Sequence, residues 1–85
     1  MNDEAQRYAD YVKNYILGLK KEIKVAVVPV LTEDENISIK IHVVDLQYKK
    51  SVIFKAFIPE EHNWQMSLMT IKCRVNKELG YTVFY

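Results

Sequence analysis

One cysteine, two glycines, two prolines and two arginines are all that this 85-residue chain carries of those four residue types. Each shortage excludes something. Cys73 alone can form neither an internal disulfide nor a Cys-rich zinc site, and its solitude fits a reducing, cytoplasmic setting. Its simplest reading is a small, buried apolar residue. Two glycines leave no room for a phosphate-cradling loop. A surplus of one charge sign is missing too. Lys and Arg total 12 against 11 Asp and Glu, a net charge of +1, so no strong field draws nucleic acid or an acidic membrane from a distance. No apolar run approaches the ~20 residues of a membrane span, and the polar start (Asn2, Asp3, Glu4) lacks the apolar core of a signal peptide. No membrane association is expected.

What is present describes one small folded domain over residues 1–85. Hydrophobic residues make up 49% of the chain and charged residues 27%, a globular rather than a disordered composition. A core this small contributes only roughly 3–5 kcal/mol of net stability without disulfides, metal or a partner. Self-association or partner binding is therefore an early expectation. The abundance of Lys, Asn, Ile and Tyr points to an AT-rich genome, which allows a viral or mobile-element accessory protein that inhibits a host enzyme.

From Asp3 to about Glu22, Ala5, Tyr8, Val12, Tyr15, Ile16 and Leu19 recur at spacings of three and four and form one stripe of a helix. Asp3 is placed to act as N-cap with Gln6 in capping-box position, Lys20 and Lys21 complement the dipole at the far end, and Gly18 weakens the last turn. The period then changes to two. Ile23 to Val28, Ile37 to Val43 and Val52 to Ile58 each alternate, which predicts three strands. The short polar connectors Glu33 to Asn36 and Gln47 to Lys50 make them sequential and antiparallel. Pro29 assigns the first strand to an edge or interrupts it.

Residues 64–79 satisfy two patterns. As a helix, Trp64, Leu68, Ile71, Val75 and Leu79 form a stripe with Met66, Met69 and Cys73 opposite. As a strand, Met69, Ile71, Cys73 and Val75 share one face. The weak helix propensity of Thr70, Ile71, Cys73, Val75 and Asn76, with Gly80 ahead of Tyr81 to Tyr85 as a turn, favours the strand. The expected fold class is α+β: an N-terminal amphipathic helix on an antiparallel meander of about five strands. The alternative is α-β-β-β-α with a C-terminal helix over 64–79. In that case the chain resembles double-stranded-RNA-binding domains in element order alone, without their glycine-marked lysine-rich helix start.

Chemistry-bearing constellations are few. His42 and Asp45 are three apart on a strand and so point to opposite faces, which makes His42 a surface histidine. His62 follows Glu60 and Glu61 with no second ligand cluster to complete a metal site. Ser38, Ser51, Ser67 and Cys73 lack a nucleophile context. No catalytic residue, metal, cofactor or small-molecule substrate is implied, and the chain reads as a non-enzyme.

Two binding surfaces remain. One helix covers the sheet face bearing Val25, Ile39, Ile41, Phe54 and Ala56, so the reverse face, with Ala26, Val28, Val30, Val44, Ile53 and Phe57, needs another cover: the C-terminal hairpin, a second copy or another protein. The leading expectation is a protein-interaction module that binds protein, its own copy included as a homo-oligomer, using Val28, Val30, Val44, Ile53 and Phe57 or an exposed edge strand. The alternative is nucleic-acid binding through Lys40, His42 and Lys55. The run Lys55-Ala56-Phe57-Ile58 resembles the basic and aromatic strand of RNA-recognition sheets, without the glycines of that signature. Lys20, Lys21, Lys24, Lys49 and Lys50 are expected to be a solvated rim.

Overall fold

The structure is a computed structural model that describes residues 3–19, 22–31 and 37–82. Its elements follow the order α1 (Asp3–Leu19), β1 (Ile23–Leu31), β2 (Ile37–Asp45), β3 (Lys50–Phe57), a single 3₁₀ turn (Glu61–Asn63) and α2 (Trp64–Leu79). The strands form one antiparallel sheet ordered β1-β2-β3. A central β2 explains the edge position of Pro29, which lies within β1 opposite Ile39 without taking an N–H from a central ladder.

Three strands, not about five, make up the described sheet. The favoured strand within residues 64–79 is overturned, because α2 buries Trp64, Leu68, Ile71, Val75 and Leu79. Propensity is a weak prior. Ile71 and Val75 satisfy both periodicities, and the contact with α1 and β3 decides between them. Gly80 does adopt a left-handed conformation (φ 85°, ψ 8°), but as the cap of α2, its N–H bonding the Asn76 carbonyl at 3.0 Å. Tyr81 and Thr82 are not in a strand. The remainder of the expected fifth strand, the connector Glu33 to Asn36, and Lys20 and Lys21 lie outside the described residues.

Helix α1 matches its predicted stripe with small changes. Tyr8, Ala9, Val12 and Ile16 are buried, whereas Leu19, at the last position, is exposed. Asp3 is the first helical residue rather than a cap, and it stands with Glu4 in the first turn, where negative charge complements the dipole. Gln6 donates from Nε2 to Asp10 Oδ1 at 3.1 Å instead of reaching back.

Both helices pack on one face of the sheet. Their buried stripes enclose Ile23 and Val27 of β1, Ile39, Ile41 and Val43 of β2, and Phe54 of β3. Trp64 joins the helices, with its ring 5.2 Å from Tyr8, 5.5 Å from Tyr11 and under the Arg7 guanidinium. Its indole N–H donates to the Pro59 carbonyl at 3.1 Å. Tyr8 completes the junction through a 2.7 Å hydroxyl bond with Ser67, and burial pushes the Tyr8 phenol above its ordinary pKa.

At the other end Asp45 is fully buried and organises the β2–β3 turn. Its Oδ1 accepts from the Gln47 N–H at 2.9 Å, and its Oδ2 accepts from the Tyr81 hydroxyl at 2.7 Å. Partial burial, then the Asp45 carboxylate, push the Tyr81 pKa up to about 12. An unfolded tyrosine titrates near 10, so below that pH both states keep the proton. Between about 10 and 12 only the unfolded chain releases it, and stability falls as pH rises. Phenolate absorbance is expected to show Tyr81 ionising near the end of the titration, and Tyr81→Phe should flatten the alkaline decline of the urea midpoint. An ordinary titration of all tyrosines would contradict this.

Cys73 corrects a second expectation. It is exposed, because a helix places position 73 opposite the buried stripe, beside the exposed Met66 and Met69. The native protein should react with a disulfide reagent at one thiol per chain without denaturant, as fast as after unfolding. Protection of the native thiol would contradict the helical placement.

Candidate functional site: the open sheet face

Alternation along each strand divides the sheet into a covered and an open face. The register aligns the open-face positions in four cross-strand rows: Lys24, Val44 and Ser51; Ala26, His42 and Ile53; Val28, Lys40 and Lys55; Val30, Ser38 and Phe57. Among the described residues no element packs over these rows, since α1 and α2 both lie on the other side.

All eight residues singled out from the sequence fall here. Val28, Val30, Val44, Ile53 and Phe57 were expected at a protein interface, and Lys40, His42 and Lys55 at a nucleic-acid surface. The register brings the two sets together on one face. Phe57 is 84% exposed, Ile53 57% and Val28 49%, while Val30, Val44 and His42 are half-buried and Ser38 is buried. Exposed apolar side chains keep an ordered shell of water around them, and burying them against a partner returns about 25 cal/mol per Å².

The electrostatics are one-sided. Three lysines and a histidine occupy the twelve positions and no carboxylate does. The whole chain, by contrast, is nearly neutral. Lys40 and Lys55 stand directly opposite each other on adjacent strands, an arrangement that like-charge repulsion makes unfavourable unless an anion lies nearby. Neither lysine has a hydrogen-bond or ion-pair partner among the described residues.

The other candidates are not brought together. His42 lies on the open face and Asp45 in the core, as their spacing predicted. His62 sits in the 3₁₀ turn with Glu60 beside it, Nδ1 to Oε2 being 3.5 Å. Among the described residues no group of three or more His, Cys, Asp or Glu could hold a metal ion. Ser67 is engaged by Tyr8 and donates to the Trp64 carbonyl at 2.6 Å, so its hydroxyl serves packing. No described helix is long and apolar enough to cross a membrane.

Sequence reasoning missed a cavity of about 290 Å³ between β3 and α2. Its walls come from residues as far apart as Tyr8 and Arg74, a separation that no local pattern reports. Comparison of the chain with protein-family models, with curated proteins and with solved structures finds no match in any of the three.

Proposed function

We propose that this protein is a non-catalytic interaction module whose open sheet face docks another protein. The observation that carries the reading is the make-up of that face: six apolar side chains, four basic or histidine side chains and two serines, with no carboxylate and no covering element among the described residues. Small domains seldom leave such an apolar surface unpartnered.

Protein fits this face better than nucleic acid. Five of its six apolar residues are aliphatic (Ala26, Val28, Val30, Val44 and Ile53), so only Phe57 offers a ring for a base to stack on. None of the twelve open-face positions is an arginine that could grip phosphate or guanine in two-pronged fashion. Branched aliphatic side chains pair well with the apolar centre of a protein interface. The lysines also argue against a second copy of the same face. Two such faces in contact would confront Lys40 and Lys55 with further lysines and no carboxylate, and like-charge contacts suppress wrong partners. The favoured partner is a different protein that presents apolar side chains among carboxylates.

Affinity capture from a nuclease-treated lysate, run with wild-type, Ile53→Glu and Phe57→Glu chains, tests the reading. Both positions are exposed, so stability should change by no more than about 0.5 kcal/mol, which circular dichroism checks. The expected result is a protein retained by wild type and released by both substitutions, with the unbound chain monomeric in light scattering. Retention indifferent to both substitutions, or abolished by nuclease, would overturn it.

A further inference from the structure

The sheet ends at β3, and among the described residues no strand pairs with its outer edge. An unpaired edge is a template for another strand, and proteins commonly blunt it. β1 carries Pro29, whereas β3 runs from Lys50 to Phe57 without proline and with no positive-φ residue.

Beside this edge lies the cavity of about 290 Å³. Tyr8, Phe54, Ala56 and Ile71 supply apolar walls, Arg74 brings positive charge, and no carboxylate lines it. Arg74 stacks on Phe54 at 4.9 Å and donates from Nε to Glu78 at 3.3 Å. Its two terminal nitrogens have no partner among the described residues. Lys55 and Phe57 belong both to the cavity lining and to the open face, so the docking surface continues round the edge of the sheet into the groove.

We propose that the edge of β3 accepts an extended segment of the partner protein as a fourth strand, in which apolar and acidic residues alternate. This rests on the reading of the open face as a protein-docking surface and extends it. In an added strand successive side chains point to opposite faces. An apolar residue on the covered side enters the cavity against Phe54 and Ile71, and its acidic neighbour on the open side meets Lys55. Backbone bonds to β3 supply affinity, and the alternation supplies specificity. Charge decides against a second copy of β3 as the occupant, because Lys50 and Lys55 are its only charged residues.

The test is a titration of the full chain, followed by amide and methyl NMR, with three synthetic peptides. One alternates Glu and Leu over six residues, one has the same composition in two blocks, and one alternates Lys and Leu. The alternating acidic peptide should shift Ile71 and Ala56 and slow hydrogen exchange at every second amide of β3. The other two should bind at least about tenfold more weakly, and Lys55→Glu should weaken the first about tenfold. Thr70→Trp, a bulky change at an exposed position of the cavity wall, should have a similar effect while leaving the fold intact. Equal binding of the alternating and block peptides, unchanged β3 exchange, or no binding would overturn the edge proposal. Release of a captured partner by Ile53→Glu would still support the open face in that event, so the two readings fail separately.

Discussion

Replacing Trp64 by alanine is expected to remove about 3–5 kcal/mol of stability, the usual range for deleting a buried aromatic. A core in a chain of 85 residues supplies only roughly 3–5 kcal/mol of net stability, so the variant would be left near the unfolding threshold. Packing accounts for the size of the effect. The Trp64 ring lies between Tyr8 and Tyr11 of α1, its N–H is bonded to the Pro59 carbonyl, and only 8% of the residue is exposed. The Arg7–Glu61 ion pair beside it is 2.9 Å long, but its side chains are 60% and 67% exposed, so little of the effect belongs to charge. Urea unfolding followed by circular dichroism measures the loss, and Trp64→Phe should lose less because a ring still fills the junction. A change below 1 kcal/mol for Trp64→Ala would mean that α2 is not held against α1 as described.

Ile41→Ala and Ile53→Ala should differ greatly although they remove the same atoms. Ile41 is fully buried on the covered face of the central strand, while Ile53 is 57% exposed on the open face of β3. The expected cost is about 2–5 kcal/mol for the first and within about 0.5 kcal/mol for the second. Urea midpoints of the two variants at equal m-value provide the comparison. Partner binding should show the reverse order, with Ile53→Ala weakening it although it costs the fold little. Equal destabilisation by both would show that the open face is covered in the isolated chain.

The candidate site was legible residue by residue, but not as one site. Alternation is a local property of an extended chain, so Val28, Lys40, Ile53 and Phe57 could be placed on one side of their strands before any pairing was known. The same alternation puts His42 and Lys55 beside Phe57, and the register adds which residues are neighbours, with Lys40 opposite Lys55 and Ser38 opposite Phe57. The cavity had no sequence signal at all, since Tyr8 and Ile71 meet only after both helices have settled on the same face.

The amino-acid sequence by itself determined α1, the three strands, their order of connection and their inner and outer faces, because periods of 3.6 and 2 need only neighbouring residues. Tertiary structure decided the rest. Ile71 and Val75 fit a helix and a strand equally well, and contact with α1 and β3 selected the helix. That selection turned Cys73 outward and made Gly80 a helix cap instead of a hairpin turn. It also put the second helix on the side α1 already covered, so the open face was left without a cover among the described residues. Periodicity fixes which way each side chain points, but which face a later element covers depends on contacts between residues far apart in the chain.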